Sequence, residues 1–132
     1  MGGMRIMLKT KIGYSTNQDS FASGVETARM AMKGLKPKLG MLYSSVLYDT
    51  EEMIKGVKST MHGVPIIGCT SSGMVITNDG IIKSDDGYSA MMTFDDKNMS
   101  VGLACSEAGK NAREIGRKVA REAVRNAGAT YS

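Results

Sequence analysis

The residues best suited to chemistry lie at positions 68–73, which read Gly-Cys-Thr-Ser-Ser-Gly. They follow a short apolar run, so the thiol of Cys69 and the hydroxyls of Thr70 and Ser71 fall where a buried strand would end. Either Cys69 or Ser71 could be the nucleophile of a hydrolase or transferase. The same groups could instead bind a ligand that undergoes no reaction.

A nucleophilic thiol needs a base or a cation within hydrogen-bond reach. The only histidine, His62, ends a predicted helix and precedes the strand that leads to Cys69. That strand would separate the two side chains by roughly 20 Å, because each strand residue advances the chain by about 3.3 Å. We therefore expect no cysteine–histidine pair, and we expect Cys69 to be a small buried side chain.

Other reactive groupings lack necessary parts. The adjacent carboxylates at positions 85–86 and 95–96 fall in predicted turns in the later half of the chain. Residues 68–73 contain no lysine, which a phosphate-binding P-loop requires. One histidine and two dispersed cysteines give no zinc-site spacing. The sequence predicts no catalytic residue and no metal site.

Hydrophobic periodicity predicts the elements that position residues 68–73. Strands are predicted over residues 4–15, 38–45 and 64–69, separated by helices over residues 17–35 and 48–63. Asn17 and Asp19 compete as the N-cap of the first helix, and Asp49 is the predicted cap of the second. Turn signals follow at residues 78–80 and 85–87.

The later half of the chain has a different pattern. Strands predicted over residues 88–94 and 99–105 flank a loop and form an antiparallel hairpin. A final helix, ended by Gly128, is predicted to bury one stripe: Ala112, Ile115, Val119, Ala123 and Ala127. The predicted fold class is α/β, with a β-α-β-α-β start, antiparallel hairpin strands, a C-terminal helix and a mixed sheet in a single domain over residues 1–132.

Polar side chains concentrate in the loops that follow the first three predicted strands. The carboxyl ends of parallel strands meet at one edge of an open α/β sheet, which is where such sheets bind ligands. Hydroxyls, amides and the helix N-termini after two of these loops suit a small polar ligand with an anionic group. The predicted ligand-binding residues are Tyr14, Ser15, Thr16, Asn17, Ser44, Ser45, Tyr48, Cys69, Thr70, Ser71, Ser72 and Gly73.

Some of these residues have a simpler structural interpretation. Serine, threonine and asparagine also cap helices and form turns, and that is the better interpretation for Asn17 and for the neighbouring Asp49. Gly68 and Gly73 bracket the turn, so at least one should have a positive φ or lie against a neighbouring backbone.

Composition restricts the location and the class of partner. No apolar run reaches the roughly 18 residues of a membrane span, and no secretory signal precedes the first periodic segment. Cys69 and Cys105 both lie in apolar stretches, which predicts buried thiols in a reducing compartment. We therefore expect a cytoplasmic protein with no membrane partner.

The net charge of +4 is concentrated in the final helix. Its cations are Lys110, Arg113, Arg117, Lys118, Arg121 and Arg125. A basic helix can bind nucleic acid, so a nucleic-acid-binding module is an alternative function. Glu114 with Lys118, and Glu122 with Arg125, have the spacing of ion pairs on a solvated helix face, which favours the simpler interpretation.

Three segments together resemble the N-terminal domain of FIST proteins, named for F-box and intracellular signal transduction. They read GYSTNQDSFASG, PKLGMLYSSVLYD and VPIIGCTSSGMVITNDG, and the resemblance runs from about Gly13 to Asp86. It implies a non-catalytic sensory domain that binds small ligands, amino acids being the usual proposal. Some relatives bind haem, but the sole candidate ligand, His62, is predicted at the opposite end of the sheet, so no cofactor is expected.

Members of that family usually continue into a second FIST domain. The resemblance therefore implies a standalone form, a fragment or half of a two-chain assembly. The predicted strands over residues 88–94 and 99–105 are uncharged on both faces. We expect something beyond this chain to cover one face, either a second copy or a second FIST-type domain.

Overall fold

The computed structural model describes residues 7–128, and residues 4–6 of the predicted first strand lie outside them. The described residues form two compact units, residues 7–96 and residues 97–128. The first unit contains, in chain order, β1 (Lys9–Ser15), α1 (Ser20–Met32), β2 (Leu39–Ser45), α2 (Thr50–Thr60), β3 (Ile66–Ser71), β4 (Val75–Thr77), β5 (Gly80–Ile82) and β6 (Ser89–Asp95). The second unit contains α3 (Ala112–Asn126).

The main sheet has four strands in the order β1-β6-β2-β3. β2 and β3 are parallel, whereas β6 is antiparallel to both β1 and β2. The predicted α/β class with a mixed sheet is confirmed. However, β6 lies between β1 and β2 and does not extend the sheet at its margin. Its buried residues Met91 and Thr93 suit this central position.

The turn signal at residues 78–80 corresponds to a separate hairpin. β4 and β5 pair antiparallel in a two-stranded sheet, with Thr77 opposite Gly80. The pair Ile76 and Ile81 lies directly across this hairpin, and both side chains are exposed. This hairpin leads from the end of β3 back toward the central strand β6.

Both helices of the first unit begin at an aspartate cap. The Asp19 carboxylate accepts a hydrogen bond from the Ala22 amide at 2.7 Å, and the Asp49 carboxylate accepts one from the Glu52 amide at 3.2 Å. The prediction for Asp49 is confirmed. Asn17 lies two residues before the Asp19 cap, and its side-chain oxygen accepts from the Asp19 amide at 2.9 Å.

α1 and α2 approach each other closely because glycines lie at their contact. A Cβ added at Gly24 would lie 2.1 Å from the Met53 carbonyl oxygen, and one added at Gly56 would lie 2.1 Å from the Phe21 carbonyl oxygen. Only hydrogen fits in these spaces. The core of this unit is apolar and rich in methionine: Ala28, Ala31, Leu42, Tyr48, Met53, Val57, Met61 and Met91.

The second unit differs from its prediction. Residues 99–105 form no strand, because they lack the hydrogen-bonded partner strand that a ladder requires. Instead, the segment lies against α3: a Cβ added at Gly102 would lie 1.9 Å from the Ala123 carbonyl oxygen. Asn126 donates from its amide nitrogen to the Leu103 carbonyl at 2.8 Å.

Two predictions about the surface of α3 are also wrong. None of the residues of α3 is buried. Even Ile115 and Val119, which belong to the stripe predicted to be buried, are only half-buried. Among the described residues the one ion pair is Glu52 with Lys55, so neither predicted glutamate pair of α3 forms. Glu114 instead accepts from the Asn111 side chain at 2.9 Å. No helix in residues 7–128 is long and apolar enough to cross a bilayer.

Candidate functional site

The carboxyl ends of β1, β2 and β3 lie at one edge of the main sheet, as predicted. β1 and β2 are both antiparallel to β6, and β2 is parallel to β3, so all three point the same way. Near this edge, four hydroxyl-bearing residues are cross-strand neighbours. They lie side by side across the sheet in the order Ser15, Ser89, Ser44 and Thr70. The loop edge, as we call this end of the sheet, brings together side chains from distant parts of the chain.

Glu26 of α1 organises the loop that follows β1. Its carboxylate accepts from the Ser15 hydroxyl at 2.5 Å and from the Asn17 side-chain amide at 3.0 Å. The Ser15 oxygen in turn accepts from the Asn17 backbone amide at 3.1 Å. These hydrogen bonds stabilise the charged carboxylate, so they hold the pKa of Glu26 below its usual value, the Ser15 bond having the larger effect.

Tyr48 joins the loop after β2 to the loop after β1. Its buried hydroxyl donates to the Asn17 carbonyl oxygen at 2.5 Å. Burial, the largest cause, raises the pKa of Tyr48. The turn that carries Tyr48 is fixed by the buried Ser45, whose hydroxyl oxygen accepts from the Leu47 amide at 3.1 Å. Ser44, also buried, donates to the Ser45 carbonyl at 3.2 Å.

A buried hydroxyl cluster lies beneath the loop edge. Ser89 of β6 is 2.7 Å from the Ser23 hydroxyl and 2.6 Å from the Thr27 hydroxyl, both on α1. All three side chains are completely buried. Because each hydroxyl can donate and accept, the cluster satisfies its own hydrogen bonds away from water. It fixes α1 against the central strand directly under the loop that carries Asn17.

The third predicted loop turns away into the β4–β5 hairpin. Ser71 donates to the Met74 carbonyl at 3.0 Å, and its own carbonyl accepts from the Tyr88 hydroxyl at 3.0 Å. Gly73 has φ +101°, and a Cβ at Gly68 would lie 1.7 Å from the Leu42 carbonyl oxygen. The predicted backbone requirement at both glycines is therefore confirmed.

The hairpin returns to the first strand through Tyr14. The Tyr14 hydroxyl donates to the Asp79 carboxylate at 3.0 Å. This hydrogen bond, followed by the negative charge of Asp79, raises the pKa of Tyr14. Thr16 and Ser72 are exposed, and no hydrogen bond from their side chains is described in residues 7–128. These two hydroxyls remain available to a ligand.

The prediction that the cysteines are buried is wrong. Cys69 and Cys105 are both free and exposed. Cys69 is exposed because β3 is the outer strand of the sheet and pairs only with β2. Within residues 7–128, no hydrogen bond links the Cys69 thiol to a base, and the Ser71 hydroxyl is directed to a backbone carbonyl. Among residues 7–128, neither Cys69 nor Ser71 is hydrogen-bonded to a base that could activate it as a nucleophile.

The loop edge is electrostatically negative. Asp19, Glu26, Asp79 and Asp86 surround it, and Gln18 donates to Asp86 at 2.9 Å. The segments at residues 14–19, 44–49 and 69–73 contain no lysine or arginine, and the loop at residues 83–88 contains one cation, Lys83, beside two aspartates. Such an environment favours a positively charged group such as an ammonium. The carboxylates do not form a metal site: no group of three potential ligands occurs in the described part of the chain.

Sequence reasoning missed four residues that shape this edge: Glu26, Asp79, Tyr88 and Ser89. Glu26 lies on a helix face that hydrophobic periodicity identifies only as polar, with no indication of its partners. The pattern around Tyr88 and Ser89 predicts a hairpin strand, but it does not indicate that this strand lies between β1 and β2, where Ser89 reaches α1. The turn signal at residues 78–80 did indicate a hairpin, but not its return to Tyr14.

Polar loops gathered beyond the carboxyl ends of parallel strands are the arrangement with which open α/β sheets bind ligands. The chain belongs to the FIST family, because the model of the FIST N domain matches residues 38–131. This confirms the resemblance, although the matched region begins at β2 and extends through α3. FIST domains are sensory domains of signal transduction. No curated protein matches the chain in sequence.

Proposed function

We propose that this FIST domain is a non-catalytic sensor that binds an amino acid or a similar small polar metabolite at the loop edge. The observation that carries the proposal is the convergence of loops at an edge where the carboxylates Asp19, Glu26, Asp79 and Asp86 outnumber the cations. An ammonium group would be attracted by Glu26 and Asp79, and the exposed hydroxyls of Thr16 and Ser72 could bind the remaining polar atoms.

The links between the loops support a sensory role. Tyr48 connects the second loop to Asn17, and Tyr14 connects the first strand to Asp79 of the hairpin. A ligand that competes for Glu26 or Asp79 would alter these hydrogen bonds and bias the loops toward a second arrangement. The proposal includes a cytoplasmic location, which the free thiols Cys69 and Cys105 support.

Pairing with a second copy or a second FIST-type domain is also part of the proposal. β3 leaves one backbone edge unpaired and carries no charged side chain, whereas the opposite outer strand, β1, contains Lys9 and Lys11. Uncharged outer strands readily pair with another chain. The first test is light scattering at micromolar concentration: a clean monomer near the chain mass of 14.1 kDa would contradict self-association.

The ligand proposal is tested by thermal unfolding with amino acids, organic acids and nucleotides. A ligand present at 100 times its Kd should stabilise the fold by about 2.7 kcal/mol. Glu26→Gln should abolish stabilisation by the amino-acid ligand, whereas Glu51→Gln on the exposed first turn of α2 should preserve it. Stabilisation that is unchanged in Glu26→Gln would contradict a site at the loop edge.

The nucleophilic alternative has no observation in its favour, and a simple experiment separates it from the sensor. Iodoacetamide should label Cys69 at the rate of an ordinary exposed thiol. Much faster labelling than that of Cys105, which is equally free, would favour a nucleophilic role. Tight nucleic-acid binding at physiological salt would likewise favour the second alternative, through α3.

A further inference from the structure

A groove runs along the first unit between α2 and β3, and Thr50 and Thr70 line the end of it that lies nearest the loop edge. Its volume is about 370 Å³, within the range of small-molecule sites. Among residues 7–128, β3 is the outer strand of the main sheet and pairs only with β2, so no further strand lies beside this groove. The groove is lined by Leu42, Thr50, Met53, Ile54, Lys58, Ile66, Gly68, Cys69 and Thr70.

The floor of the groove is apolar and continuous with the core. Leu42 and Met53 are buried, and Ile54 and Ile66 are half-buried and pack against the core cluster. Methionine adapts its shape to different apolar groups because its side chain is flexible and polarisable. An apolar chain lying here would remove Ile54 and Ile66 from water, which favours binding.

Of the described residues that line the groove, Lys58 is the one that carries a charge. No described hydrogen bond or ion pair within residues 7–128 involves its ammonium group. The neighbouring Lys55 differs, since its ammonium lies 2.6 Å from the Glu52 carboxylate. An unpaired cation beside an apolar surface is complementary to an anion that carries an apolar chain.

The polar groups lie at the two ends of the apolar surface. Thr50 begins α2 and Lys58 lies eight residues further along the same helix, a separation of about 12 Å at 1.5 Å per residue. The groove is therefore elongated, with a cation at one end and a hydroxyl at the other. Its shape suits an extended chain better than a compact metabolite.

We propose that the groove between α2 and β3 binds a small amphiphilic anion, such as a medium-chain carboxylate. The acid group binds Lys58, and the apolar chain lies along Ile54, Met53 and Ile66 toward Thr50. This site goes beyond the proposed sensor function and does not depend on a ligand at the loop edge. It does require that no second copy covers the α2–β3 groove. The loop edge attracts cations, whereas the groove attracts anions. Binding of one class of ligand can therefore be absent while binding of the other is observed.

Methyl NMR of the full chain tests the site with decanoate as the probe and decanol as its uncharged analogue. Decanoate should cause saturable shifts of the Ile54 and Ile66 methyl signals. Ile76 and Ile81, exposed on the hairpin and outside the groove, are internal controls. Equal shifts of all four isoleucines would indicate detergent-like binding and overturn the proposal, as would the absence of saturable shifts.

The role of the cation is tested by Lys58→Gln, with Lys55→Gln as the matched control on the same helix. Lys58→Gln should weaken decanoate binding about fivefold, the upper end of the range for an exposed ion pair, and leave decanol binding unchanged. Lys55→Gln should alter neither. Equal losses in both variants would contradict recognition by Lys58. Shifts of Ile66 that depend on protein concentration alone would show that a second copy fills the groove, and would also overturn the proposal.

Discussion

The hydroxyl of Tyr48 donates to the main-chain carbonyl oxygen of Asn17, 2.5 Å away. Tyr48 ends the turn after β2, and Asn17 lies in the turn before α1, so a single hydrogen bond links two loops of the edge. The Tyr48 side chain is buried, whereas Asn17 is half-buried. The two loops can therefore separate only if a buried polar group loses its partner.

Tyr48→Phe should lower the free energy of unfolding by about 1–2 kcal/mol, because it leaves the Asn17 carbonyl without its donor. The aromatic ring keeps its place in the core, so the fold should survive. Tyr43→Phe is the matched control, since no described hydrogen bond involves the Tyr43 hydroxyl. Urea unfolding followed by circular dichroism gives the comparison, and equal losses in the two variants would contradict a linking role for Tyr48.

Ser89→Ala should destabilise the first unit by about 1–3 kcal/mol. Ser89 lies within hydrogen-bond distance of the hydroxyls of Ser23 and Thr27, and water cannot replace it because all three are completely buried. Ser72→Ala removes a hydroxyl of the same type from an exposed turn and should change stability little. If the two substitutions have the same effect in urea unfolding, the buried cluster does not stabilise the packing of α1 on β6.

The sequence predicts the local elements of this fold better than their arrangement. Helices α1 and α2 follow from apolar spacing and from the caps Asp19 and Asp49, which are short-range features. The insertion of β6 between β1 and β2 depends on pairing between residues distant in the sequence, such as Ser15 with Ser89, 74 positions apart, and Ser44 with Ser89, 45 positions apart. No local pattern carries that information.

The same distinction applies to the candidate site. Parallel strands require their carboxyl ends to share an edge, so the gathering of the three loops was predictable. The partners of individual side chains were not, because Glu26 and Asp79 come from a helix face and a hairpin tip. The exposure of Cys69 was missed for a related reason. An apolar strand at the margin of a sheet has the same composition as one at its centre.

Gly68→Ala should destabilise the protein by about 3 kcal/mol, at the upper end of the range for overpacking. The added Cβ would lie 1.7 Å from the Leu42 carbonyl oxygen, and a backbone atom within a paired strand cannot move aside. Cys69→Ala introduces the same side chain at the adjacent, exposed position and should have a small effect. A mild loss in Gly68→Ala would mean that β3 can shift away from β2.

Glu26→Gln should change how stability depends on pH. The pKa of Glu26 is held below its usual value of 4.5, so its charged form stabilises the fold above that pH. This contribution is lost as the pH falls through the lower pKa of the folded state. Glu26→Gln should therefore be less stable than the unmodified protein at pH 7, and the difference should shrink below pH 4.5. A difference that stays constant between pH 7 and acid would rule out the charge as its cause.

Asp79→Asn should loosen the β4–β5 hairpin from the first strand. The hydrogen bond to Asp79 and its negative charge raise the pKa of Tyr14 above its usual value of 10.0, so the bond stabilises the fold below that pH and is lost as Tyr14 ionises. In Asp79→Asn the charge is absent, and the pKa of Tyr14 should fall toward 10.0 in an absorbance titration. Amide exchange at residues 75–82 should become faster, because Asp79 holds the tip of the hairpin to Tyr14. Asp85→Asn, in the neighbouring turn, should leave both measurements unchanged. If amide exchange stays slow in Asp79→Asn while the pKa of Tyr14 falls, other contacts fix the hairpin and a ligand at Asp79 could not release it.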